Sequence, residues 1–358
     1  MSILIPFVEL INYCLYSILA GYIALQFVPN EYKPITKVSK KAILLLLLGI
    51  YICSFGPVVQ VISYFSDSVG FALATYSVLT DFQVGRAWIS TGFLTVFLWL
   101  TIVLNGSKYI QAILLLFMVL SVGYASHVAS LSFWSGLIAH SAHFLVISLW
   151  VGVLIHVAWF SNDQEKWSKF LKWFTPFAVV SLVIIFISGF SLMKYIVEPK
   201  DYVSSWVLPY GQMLLLKHIS IIPLLIFALI NGLLLKRVHG DSLYNPRPWI
   251  KAEGLIILIT FYFTSIMGTL SPPHDVDFTV KSEGASKWVE WLLGKEIVTT
   301  MNVGLKGNFP SILMMVLSLL FIGMIFVSMK RINPLSAVFF GVSFIFTMYF
   351  GIMMIVSI

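Results

Sequence analysis

Long apolar runs separated by short polar loops organise this chain from end to end. Runs long enough to cross a hydrocarbon layer of about 30 Å fall at 6–28, 42–65, 87–104, 110–125, 136–160, 174–197, 211–235, 249–270, 311–329 and 334–356. The pattern predicts an all-α fold, a polytopic membrane bundle of about ten transmembrane helices, built as a single integral membrane domain over 1–358. Residues 70–80 are apolar but too short to span, and are expected at the interface or as an outer half-helix. The stretch 271–310 is the one loop large enough for structure of its own. Within it, 286–293 has the aromatic and charged mixture of a short interfacial helix.

Composition agrees with the pattern. With 59% hydrophobic and 10% charged residues among 358, the chain has too little polar surface to cover a soluble core. The net charge of +7 is spread over loops rather than gathered in a basic domain, so the expected partner is membrane lipid and not nucleic acid. Lys33, Lys37, Lys40 and Lys41 in the first loop, Lys166, Lys169 and Lys172 in the fifth, Lys236, Arg237, Arg247 and Lys251 in the seventh, and Lys330 with Arg331 in the last outweigh their acidic neighbours. The facing loops sum to zero or slightly below, 271–310 carrying four Lys against five acids. The positive-inside rule then puts the basic loops in the cytoplasm, and both termini and 271–310 outside. Cys14 and Cys53 both fall within spans without a C-x-x-C pair, so no structural disulfide is expected. The N-terminus lacks the basic region and cleavage site of a leader and reads as a retained first span.

Against this apolar background the imidazoles need a cause. His140 and His143 are three apart at the head of the fifth run, so on a helix they share a face and can meet one ligand. His127 lies just upstream, at the expected end of the fourth span. His218 beside Lys217, Glu9 with Asn12, and His274 in a Pro-Pro-His-Asp turn all come out on the same outer side, while His156 and His239 fall near the inner one. A single imidazole inside a membrane is commonly a structural hydrogen-bonding residue; a pair on one helical face with a third nearby points to metal. Met193, Met213 and Met267 fall in the outer halves of their spans, and thioethers with imidazoles suit copper, Cu(I) or Cu(II), better than zinc. Lys217 reads as snorkelling outward, pairing with Glu9, or orienting a carboxylate near the site. Only neutral imidazole coordinates, so affinity should fall as pH drops through about 6.5. Below His143 the span stays apolar as far as His156, about 20 Å on, so a route inward would need other helices. There is no phosphate-binding loop and no aspartyl-phosphate motif; no enzyme is expected, and transport would be passive or ion-coupled. Two alternatives remain open at this point: a haem protein with axial ligands from His140 or His143 and His218, and a copper-delivery assembly factor.

Several motifs together carry a resemblance. They are Gly-x-x-x-His-Val-Ala from Gly123 to Ala129, Leu149-Trp150-Val151-Gly152, Phe170, Phe174, Ser181, Ser188-Gly189, Pro209-Tyr210-Gly211, Leu214 to Lys217, Ala228 to Asn231, Glu253, and Ser271-Pro272-Pro273. The combination, over 120–275, resembles the copper resistance protein D (CopD) family of bacterial membrane proteins. The resemblance implies copper handling at the cytoplasmic membrane, usually as uptake from the outer face. It also implies a separate extracytoplasmic copper-binding donor protein, since the chain runs straight into its first span, unless the loop around His274 serves instead.

Overall fold

The structure, a computed structural model, describes residues 4–161, 166–240, 245–300 and 303–357, with side chains for all of these except 234–240. Among the described residues, nine helical segments are long and apolar enough to cross a membrane, one of them, Lys40–Val69, made of two successive helices. An additional apolar helix, Lys108–Tyr124, has 17 residues, the short end of the spanning range. The protein is an all-α, multi-pass membrane protein. Its chain divides into two compact units, Met1–Leu192 with Leu235–Asn245, and Met193–Leu234 with Pro246–Ile358.

The first unit contains α1 (Leu4–Leu25), α2 (Lys40–Cys53), α3 (Gly56–Val69), α4 (Phe71–Thr80), α5 (Gln83–Val103), α6 (Lys108–Tyr124), α7 (His127–Leu131), α8 (Phe133–Trp159) and most of α9 (Trp167–Ile196). Helices α1 and α8 cross where Gly21 meets Gly152. A Cβ on Gly152 would lie 1.9 Å from the Ser17 carbonyl oxygen, and one on Gly21 would lie 2.3 Å from the Gly152 carbonyl carbon. Only glycine lets two backbones approach so closely, the usual device where lipid removes the hydrophobic drive between helices. Higher up, Tyr13 and Tyr16 meet the Phe144 ring edge-on at 6.0 and 5.2 Å. Residues 13–16 thus lie beside 144 and residue 21 beside 152, so α1 and α8 run parallel and Glu9 comes level with His140. Fully buried Tyr16, Leu19, Ile43, Leu47, Ile50 and Leu98 form the core around this crossing.

At the opposite end the basic loops meet. Lys40 donates to the Val103 carbonyl (2.6 Å) and Asn105 Oδ1 (3.0 Å), Lys108 donates to the Gln26 carbonyl (3.3 Å), and the Lys37 N–H donates to the Phe160 carbonyl (2.8 Å). The loops after α1, α5 and α8 therefore share one end of this unit, as strict alternation of spans requires.

One span departs from the expected pattern. The run 42–65 does not form one helix but stops at Cys53 and resumes at Gly56. Pro57, in the first turn of α3, has no N–H to give and its ring would clash with the carbonyl four residues back, at Cys53. Gly70, at φ 82°, ψ 150°, then turns the chain into α4, a backbone conformation that glycine alone adopts without strain. The short apolar stretch 70–80 is thereby folded back, with Ala74 and Val78 packed on Val58 and Ile62.

The second unit holds most of α10 (Pro209–Gly240), α11 (Arg247–Gly268), α12 (Val276–Glu283), α13 (Lys287–Leu293), β1 (Gly304–Leu305), α14 (Phe309–Lys330), α15 (Pro334–Met353) and β2 (Val356–Ser357). Within 271–310 the described residues include α12 and α13, and α13 falls where the short helix is expected. Strand β1 pairs antiparallel with β2, and Val276, Val280, Val289 and Ile297 share one core with Trp206, Val207, Tyr349 and Met353. Trp288 donates to the Tyr349 hydroxyl at 3.1 Å.

Asp277 ties this loop together. It pairs with Lys281 one turn on and accepts from the Thr299 hydroxyl (2.8 Å) and the Thr300 N–H (2.9 Å). The Lys281 ammonium first, then the Thr300 and Thr299 donors, hold its carboxyl far below the usual carboxylate range. Because the folded value lies below the unfolded one, the contribution is fully present above about pH 4 and fades as pH falls through the folded value. At neutral pH, Asp277→Asn will open 271–310 to limited proteolysis several-fold faster than wild type; equal cleavage rates would dismiss the tie.

Candidate metal centre

His143 is the most closely defined of the candidate ligands. Its Nδ1 lies 3.1 Å from the Ile185 carbonyl oxygen and 2.9 Å from Ser188 Oγ, both on α9. The Ser188 hydroxyl has one proton, and the nearest acceptor for it is the Ile184 carbonyl at 2.6 Å. A carbonyl can only accept, so in the neutral ring Nδ1 carries the hydrogen and Nε2 carries the lone pair. This is the arrangement of metal-binding histidines, whose second nitrogen donates to a carbonyl or carboxylate that fixes ring and tautomer. Gly189 completes the seat: a Cβ there would stand 3.2 Å from His143 Cε1, tight enough to push the ring. Gly189→Ala is therefore expected to weaken copper binding about ten-fold, the scale of a lost orienting contact, without changing expression. Isothermal titration measures it, and an unchanged affinity would show that the ring's placement is immaterial.

The other predicted residues are placed as follows. His140, half-buried, lies one turn before His143 on α8, level with Glu9 on α1. His127 is not the end of the fourth span: α6 stops at Tyr124, and His127 opens the five-residue α7, exposed. Ser126 causes this by capping α7, accepting from the Ala129 N–H at 3.2 Å. Gly136 seats α8 against α7, since a Cβ there would lie 2.3 Å from the Ala129 nitrogen. His127, His140, His143 and Glu9 belong to the first unit; His218, Lys217, His274, Met213 and Met267 belong to the second.

In the second unit, His218 Nδ1 meets the Tyr202 hydroxyl at 2.7 Å. A hydroxyl can donate or accept, so this contact orients the ring without fixing its tautomer. Lys217, half-buried, precedes it. His274 is exposed in the turn before α12. Met213 and Met267 both pack against apolar clusters, Met267 beside Tyr210 and Leu214. Among the described residues no three of His, Cys, Asp or Glu come together as a metal cage. His156 is 1% exposed with Nδ1 bonded to the Gly152 carbonyl of its own helix (2.9 Å); the His239 side chain lies outside the described residues.

Sequence reasoning singled out Ser188-Gly189 and Asn231 with Glu253 as motifs but gave them no contacts. The first pair forms the His143 seat. The second pair meets inside the second unit, Asn231 Nδ2 donating to Glu253 Oε2, with the two residues 8% and 2% exposed.

Helices of this length and apolarity, with polar groups placed inside them, define a multi-pass helical membrane protein. Comparison supports the resemblance its motifs carry: residues 168–267 match the family model of copper resistance protein D, CopD. That is a family of copper-handling membrane proteins, and the matched stretch includes Ile185, Ser188, Gly189, His218, Asn231 and Glu253. No curated protein and no solved structure matches the chain significantly.

Proposed function

We propose that this protein imports copper across a bacterial cytoplasmic membrane, taking the ion at its outer face on His143 and His140. The observation that supports the reading is the seat on α9, within the family-matched stretch, whose contacts to Nδ1 put the lone pair of the neutral ring on His143 Nε2. His140, one turn away on the same helix, supplies the second nitrogen. Two imidazoles leave a coordination position for a ligand from a donor protein or from another helix, which suits an ion that must be accepted and passed on. His127, His218 and His274 are the remaining outer-face imidazoles through which copper would be gathered. The orientation rests on the basic loops, which the positive-inside rule assigns to the cytoplasm.

Purified protein in sealed vesicles tests the transport step. Wild type should accumulate copper in the lumen well above protein-free vesicles, and His140→Ala with His143→Ala should bring the rate down to that background. Copper bound at the protein with no luminal gain would replace import by delivery to a membrane partner.

A further inference from the structure

We infer that Glu9 is a proton-binding carboxyl at the head of an oxygen-lined stripe through the first unit. Glu9, Asn12 and Tyr16 stand at i, i+3 and i+7 on α1, hence on one face. On that face Glu9 Oε1, Asn12 Oδ1 and the Tyr16 hydroxyl are shielded from solvent and have no hydrogen-bond partner, although Asn12 and Tyr16 are only 6% and 0% exposed. On α5, whose Leu98 shares a core with Tyr16, Thr95 Oγ1 is likewise shielded from solvent and without a hydrogen-bond partner. Buried polar atoms are nearly always paired, so three orphans along one stripe call for something mobile that joins them.

The Glu9 carboxylate also faces the interruption in the second span. Its Oε1 stands 3.9 Å from where a Cβ of Gly56 would be, at the start of α3. Discontinuous helices are where membrane carriers place substrates and coupling ions, and an acid at this depth is costly to hold charged without a counter-ion. The titratable groups at this end of the packed elements are Tyr13, Cys14 and Tyr16 on α1, Tyr51 and Cys53 on α2, His140 and His143 on α8, and Tyr124 at the end of α6; the first two turns of α3 have none. On α5 the nearest charge, Arg86, donates to the Thr80 carbonyl at 2.6 Å.

The chemistry of the donors selects the ion. All are oxygens, which rules against a soft copper site. From Glu9 to Tyr16 they extend about 10 Å along the helix, a string rather than the cage of six that a metal cation needs. A string of hydroxyl and amide oxygens headed by a carboxyl suits a proton that enters at Glu9 and is relayed inward. This inference makes no use of the copper reading.

Infrared difference spectra of the full chain in lipid nanodiscs, copper-free and titrated with acid, test it. Wild type should show a carboxylic-acid carbonyl band, formed as pH falls, that vanishes in Glu9→Gln and returns shifted in Glu9→Asp. Buried Glu253 gives its own band, unmoved by these changes. Asn12→Leu, which leaves the carboxyl but removes its neighbour, should shift the Glu9 band, and it decides the matter if Glu9→Gln fails to fold. A spectrum indifferent to Glu9→Gln and Asn12→Leu overturns the proposal, as does a band abolished by sodium at constant pH, which would make this a metal-cation site.

Discussion

His140→Ala combined with His143→Ala will lower copper affinity by at least about 100-fold while the protein still inserts with its native topology. Removing an atom that merely orients a ligand costs 10- to 100-fold in metal affinity, and here both coordinating rings are lost. Insertion is indifferent because the Lys and Arg of the loops set topology, and neither histidine contributes to them. The graded counterpart is Ser188→Ala. It leaves Nδ1 its bond to the Ile185 carbonyl and should cost about ten-fold. Equal losses from Ser188→Ala and the double change would mean that the α9 contact maintains the fold and not the ligand.

Gly152→Val will abolish ordered packing of the first unit. Its Cβ would fall 1.9 Å from the Ser17 carbonyl oxygen and less than 3 Å from the Gly21 backbone, and none of these atoms belongs to a side chain that can rotate away. Overpacking typically costs up to about 3 kcal/mol, and backbone against backbone belongs at the top of that range. Thermal denaturation followed by size-exclusion chromatography in detergent should show a large fall in midpoint or an aggregated protein. A Gly152→Val protein as stable as wild type would mean that α1 and α8 do not cross at Gly21 and Gly152.

The spans were legible because lipid leaves the chain one economical answer: an apolar run of 20 residues with satisfied backbone groups is a helix. The histidine pair was legible for a related reason, since a polar residue in such a run stands out. What could not be read were contacts made by residues far apart in sequence. Nothing in Gly152 or Gly21 names the other, and Ser188 stood out as part of a motif without revealing that His143 donates to it. The break in the second span has a local signal in Pro57, but hydropathy is unchanged across it. Hydropathy alone puts His127 at the end of the fourth span, whereas Ser126, a capping residue, starts a new helix there. The outer-face set of five histidines was a statement about depth, and the structure divides it three and two between the units.

The most direct test of the central claim is metal analysis together with an absorption spectrum on one detergent-purified sample, wild type beside His140→Ala with His143→Ala. The account predicts copper near stoichiometric in wild type, lost in the double variant, and no Soret band in either. A Soret band with stoichiometric haem, or copper retained in full by the double variant, would contradict it.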